Sequence, residues 1–437
     1  MSNIQGGTIL HAWCWSFNTI KENMNEIAAA GYTAVQTSPI NKCVVGEGGG
    51  MQIFGNGKWY YHYQPTNHII GNYQLGTRDE FTEMCNEAHK YGVKIIVDAV
   101  LNHCTSNYGL IDERVKNIEG GAFHKRHKWN EDNRFSLTQG FLYGLYDLNT
   151  QNPHVQKYLK DFLLDCVKCG ADGFRYDTAK LIELPNETHP EFGDFGSDFW
   201  PYVLDNGSEF QYGEDLQEGG TDENSSRFND YAEYMHLTAS FYGRTLRNAL
   251  HNRNLDAATI CDYNSYGVEA EKLVSWIESH DNYCNDKSYE VVDDSDIILG
   301  WAFITSRKSS TPLFFNRPDG STKSNPWGKN IIGNAGNDIW KDPRVVEVNK
   351  FRDLHRGDNE TVINPHNVKT SVMVIRGNEG AVIINADSNK LILNEASCPA
   401  LCDGKYIDKI SGTEFLVSNG KITGNTDGRS ISVLYKI

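Results

Sequence analysis

Apolar positions along the chain alternate between strand-like and helical spacing from the start. Residues 8–13 read as a strand, and Phe17, Ile20, Met24 and Ile27 then recur on one helical face that stops at Gly31. Residues 33–40 form the next predicted strand. Thr77 and Glu80 make a capping box before a helix with Phe81, Met84, Cys85 and Ala88 on one side, closed by Gly92. Residues 93–100 are a nearly continuous apolar run interrupted by Asp98. Such runs belong to parallel strands covered on both faces. A strong helical period through Val155, Tyr158, Leu159, Phe162, Leu163 and Val167 leads into GADGFRYDTAK, residues 170–180, read as a fourth strand and its exit. Further strands are predicted at Phe210–Gly213, 258–262, 273–279 and 312–316. Eight strands separated by helical stretches predict an α/β fold, a (β/α)8 TIM barrel.

Two regions depart from that rhythm. Between His103 and Asp147 the chain is polar and aperiodic, too long for a connecting loop, so a small inserted domain after strand three is expected. After Gly357 short strand-like runs, including Ser371–Arg376, are separated by Gly, Asn and Asp, which predicts a C-terminal antiparallel β-sandwich. The expected division is therefore 1–102 and 148–357 for the barrel, 103–147 for the insert and 358–437 for the sandwich.

Composition narrows the function. A net charge of −16 argues against nucleic acid as a partner. No run of 18 apolar residues predicts a membrane span, and the start of the chain lacks the charged and apolar regions of a signal peptide, so a cytoplasmic location is expected, with secretion after removal of a leader as the alternative. The ten cysteines are scattered and read as reduced thiols, Cys166 and Cys169 included, because that C-x-x-C falls at a helix C-terminus. The 9 Trp, 22 Tyr and 19 Phe suit a neutral ligand with flat apolar faces such as a sugar, although aromatics serve cores first.

Candidate chemistry lies at the strand ends. Arg175 and Asp177 are two apart and share one side of a strand, so the guanidinium is placed to hold the carboxylate ionised. A structural ion pair is the alternative on that segment alone. Asp98, Asp177, Glu214 and Asp281 all sit at predicted strand ends. Glu214 follows Asp177 by about one βα unit of roughly 30 residues, and Asp281 follows by about two more, which assigns them to strands four, five and seven. Carboxylates converging at one barrel mouth raise one another's pKa, so that one stays protonated while another is ionised. That division of labour is what glycosidic cleavage requires. His103 and His280, beside two of these acids, are placed to bond ligand hydroxyls.

These segments resemble the α-amylase family of glycoside hydrolases. DAVLNH, GFRYD, the glutamate of QYGED and SHD look like that family's four short motifs, in order. The similarity extends through HAWCWSFNTI, AVQTSPI, YQPTN, LYDLNTQN, SWIESHDNY and STPLFFNRP, and is nearest to bacterial saccharifying members. It implies retaining endo-hydrolysis of α-1,4-glucosidic bonds in starch, glycogen and maltooligosaccharides. Asp177 would be the nucleophile, Glu214 the general acid and then base, and Asp281 the third carboxylate that fixes the sugar, with Asp177 and Glu214 about 5–5.5 Å apart. Arg175, Tyr60, Gln64, His103, Lys180 and His280 would contact or support the substrate, Lys180 on the leaving side. The insert resembles the family's calcium-holding domain, which implies Ca2+ held by Asn102 and Asp147 and by the backbone carbonyls of Thr138 and Leu181. Leu181 is a departure, because the family commonly has histidine after the lysine; only a carbonyl role survives there. No chloride site is expected. A monomer acting on an α-glucan, without nucleic acid or membrane partners, is the implied working form. Transglycosylation or α-1,6 cleavage by a related enzyme, or glucan binding without catalysis, are the alternatives.

Overall fold

The computed structural model describes residues 4–125, 127–217 and 222–437. Met1–Asn3, where the stretch read for a leader begins, lie outside the described residues. Eight parallel strands close into a barrel: β1 (Ile9–Ala12), β2 (Ala34–Thr37), β3 (Lys94–Ala99), β4 (Gly173–Tyr176), β5 (Phe210–Gly213), β6 (His236–Thr238), β7 (Leu273–Ser275) and β8 (Thr311–Phe315). Each pairs with its neighbour in sequence, and β8 closes on β1 through Ile9↔Leu313 and the two following pairs.

Alternation along each strand decides what fills the barrel and what meets the helices. Ile9, Ala34, Ile96, Phe210, Tyr212, Val274, Trp276 and Leu313 form one interior cluster. Leu10, Ala12, Ile95, Val97, Phe174 and Tyr176 belong to the larger core outside it. Both faces are therefore buried, as the unbroken apolar runs require. The same alternation sends His11, Asp98 and Arg175 inward with the interior set. Arg175 lies in register with Asp98 on one side and Tyr212 on the other.

Helix Arg78–Lys90 has the expected capping box: the Thr77 N–H donates to Glu80 Oε2 at 2.7 Å and the Glu80 N–H to Thr77 Oγ1 at 3.3 Å. The first helical stretch is broken at Asn23 into Phe17–Glu22 and Met24–Ala29. One strand assignment is corrected. Residues 258–262 are not the sixth strand; Asp256 caps Ala257–Ile260 as a short helix, accepting from the Ala258 N–H at 3.2 Å. The sixth strand is His236–Thr238, three residues, too short to show a period.

The 103–147 segment leaves and returns as an antiparallel pair, His103↔Asp147 and Cys104↔Tyr146. The tail strands are β9 (Glu360–Ile363), β10 (Ser371–Arg376), β11 (Gly380–Asn385), β12 (Leu391–Ser397), β13 (Gly404–Asp408), β14 (Glu414–Ser418), β15 (Lys421–Thr426) and β16 (Ser430–Lys436). They form one hydrogen-bonded antiparallel sheet in the order β9-β10-β11-β16-β13-β14-β15-β12. Its two faces do different work. Met373, Ile375, Ile383, Tyr406, Phe415 and Leu434 enclose a core of their own, while Val372, Val374, Val382, Ile384 and Val433 join the barrel's outer core. All ten cysteines are free thiols. Among the described residues no helix is long and apolar enough to cross a membrane.

Candidate active site

A cleft of about 730 Å³ opens at the C-terminal ends of the barrel strands, and its lining includes Asp177, Glu214, Asp281, Tyr60, Gln64, His103 and His280. That volume is in the range of small-molecule sites. Asp177 and Glu214 are the residues immediately after β4 and β5. Asp281 is placed differently from expectation. β7 ends at Ser275, and Asp281 lies in the first turn of the short helix His280–Cys284, whose cap is Ser279 with Asn282.

The sites meet on one guanidinium. Arg175 Nη1 is 2.7 and 2.9 Å from the two oxygens of Asp98 and 2.9 Å from Asp177 Oδ1; its Nη2 is 2.8 Å from Glu214 Oε1. The Arg175 side chain is 4 % exposed, so these contacts are unscreened by solvent. Glu214 Oε2 also accepts the Thr178 N–H at 2.9 Å. Thr178 reaches that position with a left-handed φ of 46°, a strained conformation for a β-branched residue located where the chain turns out of β4. Asp281 shares a hydrogen bond with Glu214 and accepts from Asn285 Nδ2 at 3.2 Å.

One cation among four carboxylates leaves negative charge uncompensated. Burial pushes Asp177 up to about 8; Arg175 pulls the other way, and the Glu214 and Asp98 charges add to the rise. Burial raises Asp98 to about 6 against the pull of Arg175 and the Tyr63 hydroxyl. Asp281 is driven well above the carboxylate range by burial and by the neighbouring Glu214 charge. Glu214 is also buried, but Arg175, His280, the Thr178 N–H and Asp281 outweigh that and lower it. Arg175 therefore divides its charge and does not by itself hold Asp177 ionised, as the two-residue spacing suggested. Burial thus favours the protonated forms of Asp177 and Asp281, while Arg175 favours the ionised form of Glu214.

The walls are aromatic and imidazole-rich. Tyr63 donates to Asp98 Oδ2 at 2.8 Å and stacks on His280, with ring centroids 5.2 Å apart and planes 12° apart. Trp59 meets the His280 ring edge-on at 5.8 Å. Burial pulls His280 down to about 3 and His103 to about 4, so both are neutral. His103 Nε2 is 3.1 Å from the Tyr63 carbonyl oxygen. Gln64 Oε1 accepts from Thr105 Oγ1 at 3.0 Å. Lys180 Nζ donates to the Leu216 carbonyl at 3.2 Å. From the insert, Leu142, Tyr143 and Leu145 reach the cleft rim; from the helix Ser240–His251, Phe241 and Arg244 do so. Sequence reasoning assigned none of these five, nor Trp59 or Tyr63. The run of aromatics from Trp59 to Tyr63 was the available signal, and the three-residue-per-turn helix it forms explains why Tyr60 and Tyr63 both line the cleft.

The four residues implied for calcium lie in and around the root of the insert. Asp147 is 2 % exposed; its Oδ1 accepts from Asn102 Nδ2 at 3.1 Å and its Oδ2 lies 2.6 Å from His124 Nδ1. Thr138 and Leu181 are buried on packed neighbouring turns. Burial drives Asp147 well above the carboxylate range and pulls His124 to about 4, so among the described residues no charged group compensates Asp147. Buried Glu183, close to His124, is raised as well. A buried carboxylate beside a carboxamide suits a hard cation. Among the described residues no three His, Cys, Asp or Glu side chains cluster as a metal site, so backbone and amide oxygens would have to supply the remaining ligands.

Comparison with known proteins adds three findings. The family model for the α-amylase catalytic domain matches residues 17–218. An α-amylase of Butyrivibrio fibrisolvens is 42% identical over 99% of this chain and 47% of its own length, and one of Clostridium acetobutylicum is 37% identical over 99% of this chain and 54% of its own. The chain thus spans about half the length of these relatives. The fold matches the Anoxybacillus α-amylase structure with a TM-score of 0.73 at 18% identity, over 100% of this chain and 99% of that one. It also matches α-amylase I of Eisenia fetida in complex with maltohexaose, with a TM-score of 0.76 at 17% identity, over 100% of this chain and 98% of that one.

Proposed function

The chain belongs to the α-amylase family of glycoside hydrolases, and from that premise we propose that it hydrolyses internal α-1,4-glucosidic bonds of starch, glycogen and maltooligosaccharides with retention. The observation that carries this is the pairing of Asp177 and Glu214 on two nitrogens of one guanidinium, at 2.9 and 2.8 Å, with Asp281 hydrogen-bonded to Glu214.

Asp177 attacks the anomeric carbon to form the glycosyl-enzyme while Glu214 gives a proton to the departing oxygen; Glu214 then activates the water that releases the sugar. Glu214 must hold the proton for this step, and Asp281, which burial favours in its protonated form, lies beside it to supply one. Sugar hydroxyls that donate to Asp281 stabilise its ionised form, and its proton passes to Glu214. Neutralising Glu214 removes a like charge that lifts Asp177, which favours the ionised nucleophile. The surplus negative charge around Arg175 then favours the positive charge that develops on the sugar ring. Neutral His103 and His280 bond hydroxyls of that sugar, Tyr60 stacks on it, and Gln64 lies beside it. Lys180 contacts the leaving side.

The residues at the root of the insert fit calcium: Asn102 and Asp147 through side-chain oxygens, Thr138 and Leu181 through carbonyls. Bound there, it would supply structural charge compensation for Asp147 and tie the insert to the barrel. A monomer is the form we infer.

Glu214→Gln tests the hydrolytic reading. Loss of a positioned proton donor should lower reducing-end release from soluble starch by about 10²–10⁴-fold while starch binding persists. Near-wild-type release would overturn the assignment.

A further inference from the structure

A cavity of about 210 Å³ is lined by Lys308, Arg352, Arg356 and Arg376, together with Gln5 and two glycines. Lys308 precedes β8, Arg352 lies in the last turn of the helix Pro343–Leu354, and Arg376 ends β10. Gly6, one of the glycines, precedes β1, so the space sits at the N-terminal end of the barrel, away from the cleft. Among the described residues four cations and no acid line it, in a chain whose net charge is −16. The inner two cations are almost completely buried, Arg352 at 3 % and Arg376 at 1 % exposure. Both guanidinium groups bond neutral carbonyls. Arg352 donates to those of Gly6, Thr305, Arg307 and Ser310. Arg376 donates to those of Ser306, Arg307, His355 and Asp358. The carboxylates nearby are engaged elsewhere, Glu360 with Arg307 at 2.9 Å and Asp358 with His355 at 2.8 Å. Burial pulls Arg352 down to about 9; Tyr263 opposes this, and the Arg376 and Arg356 charges add to the fall. The outer two cations, Lys308 and Arg356, are exposed. Among the described residues the Lys308 ammonium has no acidic partner, and Arg356 pairs through Nε with Asp353 at 3.0 Å, a carboxylate that is 71 % exposed.

Two buried guanidinium charges met only by carbonyl dipoles are costly, and two more cations at the rim add repulsion. A cation cannot enter such a space, and a neutral sugar would leave the charge standing. An anion relieves both costs. The volume lies below the 300–1,000 Å³ of ordinary organic-ligand pockets, so a compact ion fits best. A tetrahedral oxyanion presents acceptors in every direction, which suits lysine and arginine donors arriving from separate elements. We propose that this cavity is an anion site for a phosphate-class oxyanion, free or carried on a sugar as a phosphomonoester. Lys308 and Arg356 make the direct contacts, and Arg352 and Arg376 supply the field behind them. Bound there, the ion clamps the floor of the barrel to the tail sheet, because the four cations come from both. The site stands apart from the catalytic cleft and does not depend on the hydrolytic reading.

The test is isothermal titration calorimetry with inorganic phosphate and, separately, with glucose 6-phosphate, at an ionic strength held constant with potassium chloride. Wild type is compared with Lys308→Gln and Arg356→Gln, two exposed positions whose substitution leaves the packed arginines in place. Wild type should bind one equivalent of phosphate, and each substitution should weaken Kd about tenfold, the scale of one charged hydrogen bond. The Tm of wild type should rise saturably with phosphate, and by more than that of either variant. Phosphate also stabilises folded chains generally by its exclusion from their surface, and the comparison with the variants subtracts that effect. Tighter binding of glucose 6-phosphate than of inorganic phosphate assigns the site to a phosphomonoester, and the reverse order assigns it to the free ion; both sustain the proposal. Absence of saturable binding of either probe above the chloride background overturns it. Equal affinity in wild type and both variants also overturns it, because the ion would then bind elsewhere and the four cations would serve packing alone.

Discussion

At the barrel mouth three carboxylates meet Arg175, whereas among the described residues the side chains that meet Asp147 at the root of the insert are the carboxamide of Asn102 and the imidazole of His124. Asp98, Asp177 and Glu214 at the mouth and Asp147 at the insert are almost completely buried, so solvent cannot account for either set. At the mouth a fixed guanidinium supports some of the charge, and retained protons neutralise more. At Asp147 no guanidinium is present among the described residues, and His124 is itself held neutral by burial. A proton or a bound cation must neutralise that site, and neither serves the reaction directly. The same burial thus leaves two differently compensated sites, and among the described residues the difference is Arg175.

The contrast can be broken most strongly at Arg175. Lysine cannot span Asp98, Asp177 and Glu214 at once, so Arg175→Lys should lower kcat on soluble starch by about 10²–10³-fold, the scale of losing a preorganised electrostatic contact. Activity within tenfold of wild type would show that the shared guanidinium is dispensable.

At the other site the expected effect is on stability. If calcium neutralises Asp147, a free concentration about a hundred times Kd stabilises the fold by roughly 2.7 kcal/mol, seen as a rise in Tm that a chelator reverses. Asp147→Asn removes the charge that attracts the ion and should abolish most of that rise. A wild-type Tm indifferent to calcium and chelator, in differential scanning fluorimetry, would count against the ion.

A smaller effect separates the two through pH. Asp177 is raised in the folded protein, from 3.8 to about 8. Folding therefore takes up a proton between those values, and the stabilisation from this group is complete below the lower one and lost as pH rises through the upper one. The stability of wild type relative to Asp177→Asn should accordingly decline from pH 4 to pH 8 in urea unfolding. A constant difference across that range would mean Asp177 titrates normally. The smallest change is at Tyr63: Tyr63→Phe removes the hydroxyl that donates to Asp98 at 2.8 Å and should cost roughly two- to tenfold in kcat, the scale of one hydrogen bond.

What the sequence determined by itself is what spacing along a strand or helix determines. The period of two along residues 173–177 places Arg175 and Asp177 on one side, and the Thr77–Glu80 pair marks a helix start, because both depend only on local geometry. Glu214 is legible for the same reason, as the first residue past a strand whose neighbours are apolar. Tertiary structure alone decided what each buried polar group meets. That Arg175 serves three carboxylates depends on the register of β4 with β3 and on Glu214 reaching across from the end of β5. The three-residue strand β6 has too few positions to carry a period and exists because its neighbours pair with it. Asp281 is held by a helix cap after a strand that ends early. The pairing of Asp147 with His124, 23 residues away, is likewise long-range. Nothing in the spacing of these residues brings them together; closure of the barrel does, and burial then dictates which of them must hold a proton, a cation or a sugar.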